Sequence, residues 1–214
     1  MNNYYLIGFC GGSGAGKTTL VSQLLNHYDN KAVAIELDSY YKDFQNLTFK
    51  EREKINFDHP NSFDIELLKE HLTLLKRGGK IKKPIYNFKT HKRQANTNVI
   101  NPNTLIFLEG TLIFHFIELI NIINLKIFIE TKESVRYQRR IDRDIKQRGR
   151  AISNVKKQYQ NTVKPMHEKY IDPLKSVADV IISGELDIVD SANRIIKKIE
   201  LLRNQNYYNA SKTN

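Results

Sequence analysis

The chain of 214 residues has a single cysteine, Cys10, so no disulfide can form within it, and nothing in its thiol content argues for an oxidising compartment. Cys10 reads as a small buried residue at the end of a strand. A long apolar run is missing too: the most apolar stretch, 105–129, is broken by Glu109, His115, Glu118, Asn121, Asn124 and Lys126 and reads as strand, helix, strand rather than a bilayer span. The amino end lacks the basic start and small-residue cleavage site of a secretory signal, since its apolar run leads directly into a glycine-rich loop. A cytoplasmic protein with no membrane partner is expected. Acidic residues are in deficit, 23 against 34 basic, and the net charge of +11 favours anionic partners without choosing among nucleotides, nucleic acid and acidic membrane surfaces. No internal repeat is found. The length and 40% hydrophobic content suit one domain, 1–203, and no second catalytic domain is expected.

What is present is a loop. Gly11-Gly12-Ser13-Gly14-Ala15-Gly16-Lys17-Thr18 satisfies the phosphate-binding pattern G-x-x-x-x-G-K-[ST] at every required position. An apolar run, 4–9, precedes it, and Leu20, Val21, Leu24, Leu25 and Tyr28 follow at helical spacing, which is the strand–loop–helix context the pattern needs. The glycines let successive backbone N–H groups turn around phosphate oxygens at the positive end of the helix. The nucleotide-binding segment is expected to run from Gly11 to Thr19, with Lys17 reaching the outer phosphates and the Thr18 hydroxyl placed for Mg²⁺.

Apolar runs at 4–9, 33–37, 104–108, 126–129 and 179–182 alternate with helical patterns. This predicts an α/β fold of the P-loop NTPase type: a five-stranded parallel sheet with helices on both faces and ligands beyond the carboxyl ends of its strands. The clearest helix spans 61–77, with Asn61 and Ser62 as candidate caps and Gly78-Gly79 as its stop. Two β-like pieces, 81–88 and 95–100, predict a hairpin over the site. A basic helix over 133–150 ends at Gly149; Ser153 is a candidate cap for another that runs to about 170, kinked or interrupted at Pro165. A last helix covers 188–202, and the polar residues 204–214 are expected to be a disordered tail.

Three further groups of residues carry chemistry. Asp38 ends the second strand at the carboxyl edge of the sheet, where a carboxylate can orient and finally deprotonate a substrate hydroxyl and share in holding Mg²⁺; the alternative is a plain strand-end or capping aspartate. Glu109 closes the strand 105–108 and is the acid expected to hold Mg²⁺ or its waters. Arg136, Arg140 and Arg143 share one helical face, Arg139 and Arg143 are a further i,i+4 pair, and Arg148 and Arg150 flank Gly149. So dense a cluster repels itself unless anions or acids neutralise it. It reads either as a lid over a triphosphate, at about 139–158, or as a solvated basic face paired with Asp142 and Asp144.

Taken in order, the motifs resemble the uridine kinase (uridine-cytidine kinase) family of P-loop kinases over about 5–200. The matching stretches are Gly11 to Thr18, Asp38 to Lys42, Asn56 to Pro60, Pro84 to Phe88 with His91, and Leu108 to Gly110. Arg139 to Asp144, Arg148 to Arg150, Gln158-Tyr159 and Ala178 to Ile182 follow. The resemblance implies ATP-dependent phosphorylation of the 5′-hydroxyl of uridine or cytidine with Mg²⁺, a hairpin over the nucleoside, an arginine-rich helical lid, and a homo-oligomer, a tetramer. It assigns Asp38 as catalytic base beside Lys17 and Arg143. Asp58, Arg140 and Gln158 are implied at the ribose or nucleoside, Tyr86 and His91 at the base with Tyr41 in the same site, and Arg143, Arg148 and Arg150 as lid residues near phosphate or nucleoside.

Each assignment makes chemical sense. Asp58 can accept from vicinal ribose hydroxyls, and Tyr86 with His91 offers a stacking surface and a polar tip for a flat pyrimidine. The chain departs from the family after Ile182, where Ser183-Gly184-Glu185-Leu186-Asp187 replaces a Pro-Arg-Gly-like turn near the adenine. The choice between ATP and GTP therefore stays open, and Asp187 is a candidate contact to the donor. Kinases of other small alcohols, such as pantothenate or a sugar phosphate, share the loop and the acid at Asp38. From another class, a nucleic-acid-dependent ATPase or a GTP switch remains in view, but the guanine-reading N-K-x-D pattern fails at Val33 after Asn30-Lys31-Ala32, and no aromatic RNA-binding signature is present. No nucleic-acid partner is expected.

Overall fold

In the computed structural model, which describes residues 4–211, the five apolar runs form one sheet: β1 (Tyr5–Cys10), β2 (Ala32–Glu36), β5 (Leu105–Gly110), β6 (Leu125–Glu130) and β7 (Val180–Ser183), numbered in chain order. The spatial order is β2-β5-β1-β6-β7, and every neighbouring pair is parallel. β1 and β5 are buried at every residue because helices cover both faces of the sheet. Alternation along β1 splits the core in two. Leu6 faces Leu68, Leu72 and Leu75 of α3 (Ile65–Lys76), whereas Ile7 and Phe9 face Leu20 and Leu24 of α1 (Lys17–Tyr28) and Ile195 and Ile199 of α8 (Ile188–Ser211).

Outside the sheet, β3 (Ile81–Asn87) and β4 (Lys92–Ile100) pair antiparallel as the expected hairpin, with an irregularity between Pro84 and Tyr86. Proline has no N–H to give a ladder, so a two-stranded ribbon with free edges is where it fits. The arginine-rich helix α5 (Glu133–Lys146) follows β6 and inverts the usual pattern: its buried residues are Arg136, Arg140, Ile141 and Asp144. Beyond it, α6 (Ile152–Gln158), a π-helical turn (Tyr159–Val163), α7 (Lys164–Met166) and a second π turn (His167–Ile171) form one continuous helical rod.

Four helix limits differ from the expected ones. α3 is capped by Asp64, whose Oδ1 accepts from Leu67 N at 3.2 Å, while Asn61 and Ser62 belong to the preceding 3₁₀ turn, Pro60–Ser62. α6 starts at Ile152 behind Ala151, so Ser153 lies inside the helix and caps nothing. Pro165 does not break the rod, because the π turns on either side, closed by Lys164 N to Tyr159 O and Asp172 N to His167 O, widen the helix around a residue that cannot donate. Residues 204–211 continue α8 rather than forming a disordered tail, since a helix already docked extends without a new nucleation cost. Residues 212–214 of the expected tail lie outside the described residues. Among the described residues no helix is long and apolar enough to cross a membrane.

Candidate active site

The loop of 11–16 leaves the carboxyl end of β1, the central strand, and runs into α1. Gly14 has φ +81°, and a Cβ there would lie 2.4 Å from Arg136 O, so both the conformation and the contact with α5 require glycine. Lys17 donates from Nζ to Gly11 O at 2.9 Å and Gly12 O at 3.0 Å, which holds the ammonium over the loop. Burial lowers its pKa, while Glu109 and Asp38 oppose that shift.

Because β5 lies between β1 and β2, its last carboxylate falls beside the start of α1: Thr18 donates from Oγ1 to Glu109 Oε2 at 2.9 Å. Burial pushes the Glu109 carboxyl up to about 7, against the pull of Lys17 and the Thr18 bond. Asp38 sits two residues past β2, in the 3₁₀ turn Leu37–Tyr40. Hydroxyl and carboxylate oxygens grouped in this way suit a hard divalent cation that also takes phosphate oxygens as ligands. Among the described residues no three acidic, histidine or cysteine side chains form a cage for a metal without such a partner.

Two spaces meet at this edge of the sheet. A cleft of about 660 Å³ is lined by Gly14, Gly16, Lys17, Thr18, Thr19 and Glu109 and is bordered by β3 and α5. A second, smaller pocket of about 50 Å³ is lined by Tyr41, Phe57, Asp58, Tyr86, Phe88, His91, Arg140, Arg150 and Gln158. Asp38, Ser13, Arg143 and Arg148 belong to the walls of both. A drug-sized ligand needs roughly 300 Å³ or more, a volume that the cleft offers and the small pocket by itself does not.

The small pocket has an aromatic floor. Tyr41 stacks on Phe63 with centroids 4.5 Å apart, His91 stacks on Phe57 at 4.9 Å and 10°, and Tyr86 packs against Tyr41 and Phe88. The Tyr86 hydroxyl is buried without a partner among the described residues. His91 sits at the hairpin turn with φ +53°, an uncommon conformation for a histidine, and burial with Arg150, Arg52 and Arg148 nearby pushes its pKa down to about 4. It is therefore a neutral ring with one donor and one acceptor nitrogen. Asp58 faces Arg140 at 3.9 Å and accepts a long bond from Thr162 Oγ1 at 3.5 Å; burial raises its pKa, opposed chiefly by Arg140.

The arginines close the site from above. Arg140 donates to Ser13 Oγ at 3.0 Å and Gln158 Oε1 at 3.2 Å, and Arg143 donates to the same Ser13 hydroxyl at 3.3 Å. Arg150 reaches Gln158 Oε1 at 2.8 Å, and the Arg148 guanidinium lies 4.0 Å over the Phe88 ring. Burial, Arg143 and Arg140 push Arg148 down to about 10, with Asp144 and Asp38 opposing. The alternative of a solvated basic face does not hold for Arg136, Arg140 or Asp144, all of which are buried.

Most of the residues singled out in the sequence line one or both spaces; Gly11, Gly12 and Ala15 of the loop line neither, and Asp187 lies away from both. The Asp187 Oδ1 accepts from Val189 N at 2.8 Å and Asp190 N at 3.1 Å, capping α8, because the turn after β7 leads directly into that helix. A pocket of about 240 Å³ beyond Thr19 is instead walled by Ile182, Ser183, Gly184, Leu186 and Arg139. Sequence reasoning gave no role to Thr162, Phe88 or Gly184. Phe88 stood within a recognised motif, but Thr162 and Gly184 carried no local signal.

Residues 6–187 match the family described as Phosphoribulokinase / Uridine kinase. The chain is 44% identical over 202 residues to a protein named uridine kinase from Clostridium novyi (strain NT), covering 94% of this chain and 97% of that one. It is 43% identical over 196 residues to another so named from Halobacterium salinarum, covering 92% and 87%. Among solved structures it is similar to phosphoribulokinase from Rhodobacter spheroides (TM-score 0.62, 16% identity, 86% of this chain and 71% of that one). D-glycerate 3-kinase from Cryptococcus neoformans gives TM-score 0.62 at 17% identity, over 88% and 89%. At such identities the structures speak for the fold alone. The family match and the near full-length relatives go further: with its phosphate loop, acidic sheet edge and arginine-covered pocket, the chain belongs to the Phosphoribulokinase / Uridine kinase family.

Proposed function

We propose that the chain transfers the terminal phosphoryl group of a nucleoside triphosphate, ATP by preference, to the 5′-hydroxyl of uridine and cytidine. The observation that carries this reading is the place of Asp38, which lines both the phosphate cleft and the aromatic pocket. An alcohol held in the pocket then faces a phosphate held in the cleft across one carboxylate. Relatives named uridine kinase at 44% and 43% identity support the choice of nucleoside.

In this reading Asp58 and Arg140 hold the ribose hydroxyls, with Gln158 fixing Arg140, while Tyr86 and His91 meet the pyrimidine edge above Tyr41. The 5′-oxygen attacks the terminal phosphorus, its proton passes to the Asp38 carboxylate, and the bond to the bridging oxygen breaks to leave the nucleoside diphosphate. A carboxylate is a weak base for an alcohol, but a loose transition state puts positioning ahead of early proton removal. Loop N–H groups with Lys17, Arg143 and Arg148 balance the charge of the transferred group. Thr18, Glu109 and Asp38 would hold Mg²⁺, which supplies charge neutralisation across the outer phosphates. A cytoplasmic homo-oligomer, a tetramer by the resemblance, belongs to the same proposal and is checked by sedimentation.

The test is phosphate transfer from ATP and from GTP to uridine, cytidine, pantothenate and ribulose 5-phosphate. Transfer to uridine and cytidine is expected, and its absence overturns the assignment. Asp38→Asn should lower turnover by about 10²- to 10⁴-fold while ATP still binds, since the loop is untouched; full turnover in that variant ends the base assignment.

A further inference from the structure

Asp144 lies behind the arginines. It is fully buried and lines neither the cleft nor the pocket, yet its two carboxylate oxygens gather four guanidiniums. Arg143 approaches Oδ1 at 2.9 Å and Arg148 the same oxygen at 3.3 Å; Arg150 approaches Oδ2 at 3.4 Å and Arg140 at 3.7 Å. Burial alone would raise the pKa of this carboxyl, but Arg148, Arg140 and Arg143 outweigh it and the net shift is downward. The backbone takes part as well. Gly149 at φ +66° turns the chain back, and Arg150 N donates to Asp144 O at 3.1 Å, so residue 150 is held to residue 144 at both main chain and side chain.

We infer that Asp144 is the positioning residue of the arginine lid: it assembles Arg140, Arg143, Arg148 and Arg150 around one point so that their front faces meet the reacting groups. Each of the four has a back contact to Asp144 and a front contact in the site. Arg140 and Arg143 reach Ser13 of the phosphate loop, Arg148 covers Phe88, and Arg150 holds Gln158. Four positive groups this close repel one another, and a single carboxylate behind them offsets part of that repulsion without occupying the space in front. With Asp58 counted, the cluster of four cations and two anions keeps a charge of about +2, which anionic phosphate can balance. Asp142, two residues away, is exposed and bonded to Gln138, so the same helix carries its own control.

This inference rests on the kinase reading above, and the experiment separates the two. Turnover of uridine with ATP is measured for the wild type, Asp144→Asn, Asp144→Glu and Asp142→Asn, together with the affinity of each for inorganic tripolyphosphate. If the wild type does not turn over, the kinase reading fails. If it does, Asp144→Asn is expected to lose about 100-fold in kcat, the size of loss that misplacement of reacting groups by about 1 Å produces. Its KM for uridine should change much less, and it should bind tripolyphosphate at least as tightly, because the site has lost a negative charge. Asp144→Glu keeps the charge but displaces it by one methylene, so it should fold and regain only part of kcat; Asp142→Asn should match the wild type. Unchanged kcat in Asp144→Asn overturns the inference. So does a joint fall in kcat and tripolyphosphate affinity, which marks a structural prop. Should the Asn variant not fold, full kcat in Asp144→Glu overturns it in its place.

Discussion

A single residue shows how little room the donor side of the site leaves. Gly184 closes the turn after β7: its N–H donates to Glu130 O at 2.7 Å, its carbonyl accepts from Arg139 at 3.0 Å, and an added Cβ would lie 2.1 Å from Ala15 O. Gly184→Ala must therefore move either the turn or the phosphate loop, at an overpacking cost of about 1–3 kcal/mol. We expect a raised KM for ATP with little change in KM for uridine, measured by initial rates; an unaltered KM for ATP would show that the turn yields and the loop does not. Arg143→Ala should act the other way, slowing kcat by about 10³- to 10⁵-fold if its guanidinium serves the transferred group, while uridine binding is largely kept. A purely binding defect would place Arg143 outside the chemistry. At this scale the sequence was legible where chemistry is local, as in Gly11 to Thr18, and silent where a residue acts by proximity. Gly184 was one small residue in an altered turn, and Asp187 beside it drew the donor assignment although its carboxylate caps a helix.

Among the elements, the hairpin is the least self-sufficient. Two strands alone are marginal in water, and every residue of β4 from Ala95 to Val99 is exposed, so the ribbon is held through β3, whose Ile81 and Tyr86 pack in the core, and by a few arginines. Arg93 donates to Tyr41 O at 2.8 Å and pairs with Asp64 at 3.0 Å, while Arg52, almost fully buried, donates to Leu47 O and, at 3.1 Å, to Thr90 O in the turn that carries His91. Arg52→Ala should cost about 1.5–3 kcal/mol for its charged hydrogen bonds and should raise KM for uridine more than it lowers kcat, read from urea unfolding and kinetics together. Equal KM would mean that the turn holds His91 unaided. Strand and helix existence followed from periodicity, because alternating apolar runs can bury themselves in only a few ways. Helix ends did not. Asp64 takes a cap that Asn61 and Ser62 offered equally well, and the rod from Ile152 to Ile171 absorbs Pro165 through π turns that leave no periodic mark in the sequence.

For the molecule as a whole, strand order brings Asp38, Glu109 and the phosphate loop to one edge, and that order depends on crossovers that no local pattern encodes. The same packing half-buries histidines that an open surface would leave to titrate. Burial, followed by arginines beside His91 and by Arg136 beside His167, pushes both down to about 4, and His167 Nδ1 has no partner among the described residues where its ring packs beside Gly12 of the phosphate loop. In the unfolded chain a histidine titrates near 6.5. Between about 4 and 6.5 the unfolded state therefore binds more protons at these sites than the folded state, so their contribution to stability is complete above 6.5 and is lost as the pH falls through that window. Glu109, raised to about 7, works in the opposite sense, because the folded state takes up its proton first on acidification. Comparing variants cancels that term. Wild type and His167→Gln, unfolded in urea at pH 7 and pH 5, should differ in how much stability acidification removes, with the glutamine variant losing less by on the order of 1–2 kcal/mol. Equal losses would mean that His167 takes up its proton in the folded protein as readily as in water, and that the space behind the phosphate loop admits a charge.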